Sequence, residues 1–342
     1  MAAASWGVAY AAVEVTWALT GTTVPWKAHS AYPQGVQLFL AALALLAGAA
    51  CLASTRSLSR PGRAGVATVL GVALPVLVVG TVGLPVHFVT LATLSGVESA
   101  TGLAQVLLNT AGAALLFLVG LSCHRRLRGD CPRCGRPHDG PADGPLAHPA
   151  VSRASARTRV AVCVLVGGLA PWAGVKTVWT LGGNALGVAG EDWQRITDAA
   201  ASGPAKATAS VGVDVTVLAA MAGLFLLLAL LCTWGQVFPR WTVVLAGRRV
   251  PRLLPLIPAW LTGVPLALYG AVLVVMAPLT AVGVLPQIPP SPPFTTGSGI
   301  TWMAEFGGLA FAGLGTGLVV AARSYAARTR PVCAGALPRV PR

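Results

Sequence analysis

The chain has 342 residues, of which 55% are hydrophobic and only 10% are charged. So little charge does not suit a water-soluble surface, and the mean hydropathy of +0.73 indicates a chain embedded in a lipid bilayer. The formal net charge of +14 would fit nucleic-acid binding, but the arginines fall almost wholly in short segments between long apolar runs. That distribution follows the positive-inside rule, so membrane lipid is the expected partner and nucleic acid is not.

Eight stretches of the sequence are apolar over the roughly 17 to 25 residues that a helix needs to cross a bilayer core. In chain order they are 4-21, 36-54, 65-88, 101-123, 159-181, 211-233, 253-279 and 301-322. No basic segment precedes the first stretch, and Trp6 and Glu14 interrupt it, so we interpret it as a retained helix and not as a signal peptide. The predicted fold class is an all-α integral membrane protein with about eight transmembrane helices.

Basic residues follow every even-numbered span. They are Arg56, Arg60 and Arg63; Arg125, Arg126, Arg128, Arg133 and Arg136; Arg240, Arg248, Arg249 and Arg252; and Arg323, Arg328 and Arg330. This predicts that both termini are cytoplasmic and that the loops near 22-35, 89-100, 182-210 and 280-300 lie outside. The abundance of Ala, Gly, Val, Arg and Pro is typical of a GC-rich bacterial genome. We therefore expect a multi-pass protein of a bacterial inner membrane.

Three pairs of similar fragments occur in the same order in the two halves of the chain. Residues 14-21 resemble 176-183, residues 35-42 resemble 212-220, and residues 98-104 resemble 305-310. With four spans in each copy, the two copies enter the membrane in the same orientation, which predicts parallel repeats about a pseudo-twofold axis. The predicted domains are a four-helix unit at 1-125, a cytoplasmic linker at 126-158, a second four-helix unit at 159-322 and a basic disordered tail at 323-342.

The fragment Lys176-Thr-Val-Trp179-Thr-Leu-Gly-Gly183 resembles an uncharacterised family of short four-helix membrane proteins common in actinobacteria. Each half of the chain would correspond to one such unit, with Thr20 in the first half where the second has Gly182. The resemblance implies membrane placement and duplication. It implies no activity, because the family has none assigned.

Few ionisable residues lie in or near the spans, and most of them fall in the repeated fragments. They are Glu14, Lys176, Asp214, Glu98 and Glu305, with His87 near the end of the third span. All lie in the predicted outer half of the membrane, where together with Trp17 and Trp179 they are candidates to line one polar, substrate-binding vestibule. The alternative for Glu98, Asp214 and Glu305 is helix capping. Glu14 and Lys176 occupy equivalent repeat positions, which predicts an ion pair, either structural or involved in substrate or proton binding.

The segment Cys131-Pro-Arg-Cys134-Gly-Arg-Pro-His138 has the spacing of a zinc knuckle. Its candidate metal ligands are Cys131, Cys134 and His138, and nearby Cys123, His124 and His148 are further candidates. The alternative is a pair of reduced, free thiols. A four-ligand zinc site here would be structural, and we expect no other cofactor, since the sequence has no phosphate-binding loop, no His-Glu-x-x-His and no Gly-x-Ser-x-Gly motif.

Two main hypotheses for function follow. The leading one is a carrier or binding protein that takes a small molecule, lipid or ion into a polar cleft between the halves. The second is a membrane-embedded enzyme, such as a cyclase, that acts on a lipid or isoprenoid with Glu14, Asp214 or Glu305 as general acid and with Trp17 and Trp179 steadying a cation. A third is a scaffold or sensor acting through the Cys-containing loop. A closed apolar pocket around one carboxylate would favour the enzyme, and a wet cleft past the midplane would favour the carrier.

Overall fold

The protein is almost entirely helical in the computed structural model, which describes residues 1–27, 30–56, 59–81, 83–92, 99–129, 131, 134, 146–200 and 215–333. The helices are α1 (Ala2–Thr20), α2 (Gln34–Ala53), α3 (Arg60–Val79), α4 (Leu84–Ala92), α5 (Ala100–Leu127), α6 (Ala156–Val166), α7 (Leu169–Thr180), α8 (Gly190–Ala200), α9 (Val215–Leu231), α10 (Leu253–Ala281) and α11 (Gly297–Thr329). Three antiparallel two-stranded ribbons join β1 (Pro25–Lys27) to β2 (Ser30–Ala31), β3 (Leu146–Ala147) to β6 (Val332–Cys333), and β4 (Asn184–Ala185) to β5 (Val188–Ala189).

Within these ranges, six helical segments are long and apolar enough to cross a membrane. They are Gln34–Ala53, Arg60–Val79, Ala100–Arg125, Ala156–Thr180, Leu253–Ala281 and Gly297–Thr329. These helices fit the predicted all-α membrane class. Helices also lie at the other two predicted positions, but α1 is not among the six segments and the apolar part of α9, Thr216–Leu231, is shorter. Eight crossings, their orientation and the internal repeat remain predictions.

Two predicted spans are not single helices. The third, 65-88, is divided between α3 and α4, and α3 begins earlier than expected because Ser59 caps it by accepting a hydrogen bond from the Gly62 amide. The fifth, 159-181, is interrupted at Gly167 and Gly168 between α6 and α7. Glycine lowers helix stability in such positions, and the apolar pattern alone did not reveal these breaks.

The chain divides into two compact units. The first comprises Met1–His87, Val97–Ala147 and Pro331–Arg342, and the second comprises Phe88–Gly96 and His148–Arg330.

The predicted disordered tail is wrong at its start, because α11 continues to Thr329 and Val332–Cys333 form a strand. Tyr325 explains the extra helical turn: it is buried and donates a hydrogen bond to the Gly235 carbonyl at 2.8 Å.

The core of the first unit forms where α1, α2, α3 and α5 pack together. It includes Tyr10, Leu43, Ala47, Leu77 and Leu116. Helices α1 and α2 run antiparallel, with Gly7 against Ala44 and with Gln34 donating to the Ala18 carbonyl at 3.0 Å. A Cβ atom at Gly7 would lie 2.6 Å from the Ala44 carbonyl oxygen, so this close approach requires glycine, as is common between membrane helices.

The second unit has its own core, formed mainly by α9, α10 and α11. Leu230, Ala259, Leu318 and Tyr325 are among its buried residues. The backbones of α10 and α11 approach each other closely at glycines and alanines, and Gly270 of α10 lies directly against Ala312. Because lipid is as apolar as the helix surfaces, such close packing, and not hydrophobicity alone, holds the helices together.

Candidate functional site

The first unit contains a row of polar side chains between α1 and α5. Tyr10 and Glu14 lie four residues apart on α1, and Gln105 and Asn109 lie four residues apart on α5, so each pair occupies one helix face. All four side chains are at most 2% exposed. Buried polar groups in a membrane protein are stable only when they bond to one another.

These side chains form one chain of hydrogen bonds whose directions are set by a backbone carbonyl. Asn109 Nδ2 donates to the Gly80 carbonyl at 3.2 Å, which leaves Asn109 Oδ1 to accept the Tyr10 hydroxyl proton at 2.8 Å. The Tyr10 oxygen has no second proton, so it accepts from Gln105 Nε2 at 2.8 Å. The same nitrogen donates to Glu14 Oε1 at 2.6 Å. The chain therefore ends with Glu14 as an acceptor.

Two buried amide atoms near Glu14 have no hydrogen-bond partner among the described residues. One is Gln105 Oε1, on the amide that donates to Glu14, and the other is Gln37 Nε2 on α2. Gln37 is 3% exposed, and the register of α1 and α2 places it opposite Glu14. Three helices of the first unit thus contribute buried polar groups at one level.

A pocket of about 510 Å³ lies beside this row in the first unit. Its walls are apolar side chains of α2 and α3, among them Leu40 and Val76. Phe39 and Val79 also line it and are more than half exposed, so the pocket opens to the surface of the unit. Asn109 lines the pocket but Glu14 does not, so the carboxyl group lies behind the pocket wall and is linked to it through the hydrogen bonds of Asn109, Tyr10 and Gln105.

Tyr32, in the segment before α2, also lines the pocket. Burial raises the pKa of Tyr32 to about 12, and the charge of Glu14, when ionised, acts in the same direction. The phenol is therefore protonated at neutral pH. It adds a neutral polar group to an otherwise apolar lining.

In the second unit, Lys176 and Trp179 belong to an aromatic cluster. Lys176 Nζ lies 5.3 Å from the ring centroid of Trp172 and 4.9 Å from that of Trp193, which are cation–π distances. Trp179 is 1% exposed, stacks on Trp193 at 4.1 Å, and donates from Nε1 to the Val188 carbonyl at 3.1 Å. Trp179 thus packs in a core and holds the β4–β5 ribbon.

The remaining predicted residues do not form one observed site. Trp17 is half-buried on α1, and Glu305 is half-buried on α11 with no hydrogen-bond partner for Oε2 among the described residues. Asp214, Glu98 and His138 lie outside the described residues. Glu14 and Lys176 fall in different units, so their ion pair and the shared vestibule stay predictions.

Three cysteines of the first unit form a buried cluster. Cys131, Cys134 and Cys333 have their sulfur atoms within 4.8 Å of one another, and the Cys131 and Cys333 sulfurs are 3.9 Å apart. Cys333 reaches the cluster because β6 pairs with β3, where Leu146 is its partner. Cys131 and Cys134 were predicted as ligands, whereas Cys333 was missed because it lies in a segment interpreted as tail.

This geometry fits a metal ion. Sulfurs bound to one tetrahedral zinc at about 2.3 Å lie about 3.8 Å apart, close to the observed 3.9 Å. The sulfur–sulfur bond of a disulfide is much shorter, at about 2.05 Å, and none of these three cysteines forms a disulfide. Burial, together with the two neighbouring thiols, raises the pKa of Cys333 to about 11. A cation bound by all three would therefore have to displace protons.

Comparison of the chain with family models, with curated proteins and with solved structures gave no match. The resemblance to the four-helix family therefore stays a prediction. Chemistry and geometry alone must support a function.

Proposed function

We propose that the protein binds an apolar or amphiphilic molecule, such as a membrane lipid, in the pocket of its first unit, as a binding protein or carrier. The supporting observation is the pocket itself: apolar walls from α2 and α3, two helices long and apolar enough to span a membrane, and a polar group, Asn109, tied to a buried network. Its volume of about 510 Å³ is within the range of small-molecule sites. If the hydrocarbon part of a bound amphiphile contacts Leu40 and Val76, its polar headgroup lies near Asn109 or Tyr32.

The pocket supports binding better than acid catalysis. An acid catalyst must reach its substrate directly or through one water. Glu14 is not part of the pocket lining, and Tyr10, Gln105 and Asn109 link the two through three successive hydrogen bonds. The enzyme hypothesis therefore ranks second.

The test is photocrosslinking in vesicles of bacterial phospholipid that contain a photoactivatable fatty acid. Val76→Trp fills the pocket, whereas Val78→Trp places the same side chain at an exposed position of α3 that does not line it. We expect labelling of α2 and α3 in the wild type and in Val78→Trp, with most of it lost in Val76→Trp. Equal labelling of all three proteins would contradict the proposal.

We also propose that Cys131, Cys134 and Cys333 hold a structural zinc ion. Three buried thiols with sulfurs close to zinc-bound spacing support it, and a thiolate donor set selects soft or borderline metals. His138 remains the predicted fourth ligand. The site would tie the segment after α11 to the loop that follows α5.

Metal analysis of purified protein tests the zinc proposal. We expect about one zinc per chain and its loss in Cys131→Ser, Cys134→Ser and Cys333→Ser. Cys163→Ser, which changes an exposed cysteine, is the control and should keep its metal. Equal zinc content in all of these proteins would remove the site.

A further inference from the structure

Glu14 is a buried acid whose neighbours supply hydrogen bonds but no positive charge. It is 1% exposed, and no ion pair joins it to a basic side chain within the described part of the first unit. The groups that interact with it are Tyr10 on its own helix, Tyr32 before α2 and Gln105 on α5, and the register of α1 and α2 places Gln37 opposite it. All four are neutral at physiological pH. An ionised carboxylate buried among neutral groups is strongly destabilising, whereas a neutral carboxyl is not.

The amide of Gln105 gives a second, independent indication. Its nitrogen donates to Glu14 Oε1 at 2.6 Å, while its oxygen, on the same planar group, has no partner among the described residues. A primary amide and a neutral carboxyl pair through two parallel hydrogen bonds, one from amide N–H to the carboxyl oxygen and one from carboxyl O–H to the amide oxygen. In this paired arrangement, a proton on Glu14 Oε2 would supply the donor that Gln105 Oε1 lacks. An ionised Glu14 has no proton to give.

The orientation of that amide is fixed. The hydrogen bonds that run from the Gly80 carbonyl through Asn109 and Tyr10 require Gln105 to present its nitrogen to the Tyr10 oxygen. Exchanging the amide oxygen and nitrogen would break this chain, so the unpartnered oxygen cannot be removed by turning the amide.

We propose that Glu14 is a proton-binding site of the first unit, with its proton shared between Glu14 Oε2 and Gln105 Oε1. The site goes beyond the lipid pocket and does not depend on it. Intramembrane carboxyls that hold protons serve as relays in pumps and transporters, so such a site suits a carrier whose cargo moves with a proton. The contrasting arrangement is an ionised Glu14 paired with Lys176 or with a bound cation.

Infrared spectroscopy of the full-length protein in vesicles tests the proposal. We expect the C=O band of a protonated carboxyl, shifted in heavy water, that is present in the wild type and absent from Glu14→Gln. Glu305→Gln is the matched control, because Glu305 also has a buried carboxyl oxygen, with no hydrogen-bond partner among the described residues, and this variant should keep the Glu14 band. Identical spectra of wild type and Glu14→Gln in this region would overturn the proposal.

Thermal unfolding gives a second measurement. Glu14→Gln keeps the shape of the neutral acid and can donate to Gln105 Oε1, so it should keep the wild-type unfolding midpoint. Glu14→Leu leaves the Gln105 nitrogen and oxygen without this partner, so it should lower the midpoint. If Glu14→Gln lowers the midpoint as much as Glu14→Leu does, the ionised form is the native one and the proposal fails. Neither measurement requires the pocket ligand, so a failed crosslinking experiment leaves this test intact.

Discussion

Removing the Tyr10 hydroxyl tests whether the buried hydrogen-bond chain stabilises the first unit. That hydroxyl accepts from Gln105 at 2.8 Å and donates to Asn109 at 2.8 Å, and all three side chains are at most 2% exposed. In Tyr10→Phe the ring remains, but Asn109 Oδ1 loses its donor. Gln105 Nε2 keeps only its bond to Glu14.

A buried polar group left without its partner costs about 1–3 kcal/mol, and this range is the expected loss in the free energy of unfolding for Tyr10→Phe. Denaturation in mixed micelles measures it. Tyr269→Phe is the control, because the Tyr269 hydroxyl forms no hydrogen bond to any described residue and its ring only packs on Phe311. Its effect should stay within about 0.5 kcal/mol.

A double-mutant cycle sharpens the result. If Tyr10 and Asn109 are bonded, Tyr10→Phe combined with Asn109→Leu should be less destabilising than the sum of the two single changes, by about 0.5–3 kcal/mol. Strict additivity, or a Tyr10→Phe variant as stable as the Tyr269→Phe control, would refute the hydrogen-bond chain. The orientation of the Gln105 amide would then no longer be fixed, and the proposal of a protonated Glu14 would lose that argument.

Zinc affinity should rise between about pH 6 and pH 8, because each thiol must lose its proton to bind and burial raises the pKa of Cys333 to about 11. Competition with a chromophoric chelator measures this affinity, and an affinity that does not change with pH would contradict the zinc site. Cysteines introduced at position 130 should resist membrane-impermeant reagents, while those at 195 and 290 should react, and labelling at 130 from outside would overturn the predicted topology. Trp179→Phe should destabilise the protein by about 1–3 kcal/mol in thermal or denaturant unfolding through loss of its bond to the Val188 carbonyl, whereas the same change at exposed Trp302 should be nearly neutral. If Glu14 and Lys176 form an ion pair, Glu14→Lys with Lys176→Glu should be more stable than the sum of its single charge reversals; a neutral Glu14 predicts no such rescue.

The apolar runs predicted the positions of the helices well, since length and hydropathy are read directly from the sequence. They did not predict the interruptions at Gly167 and Gly168, because glycine leaves hydropathy unchanged while it lowers helix stability. The predicted orientation of the spans rests on the charges of the loops outside the bilayer. The helical fold alone does not test this orientation.

Glu14 was singled out from the sequence and is buried, but its hydrogen-bond partners were missed. These partners are Tyr10, Gln105 and Asn109, which carry no charge, whereas the site was predicted from ionisable residues. The usable signal was spacing: polar residues four apart within an apolar span share one helix face, as Gln105 and Asn109 do. Cys333 had no such signal, because its approach to Cys131 depends on a strand pairing across almost two hundred residues.

The backbone approach between α1 and α2 has a mechanical consequence for the pocket. With Gly7 against Ala44 and Gly48 against Ala4, these two helices have no side-chain layer between them that could rearrange, so we expect them to move as one body. The pocket lies between α2 and α3, and Pro75 removes a backbone hydrogen bond from α3 along its wall. Any widening that admits a bulkier molecule should therefore come from bending of α3, with the α1–α2 pair as its fixed wall.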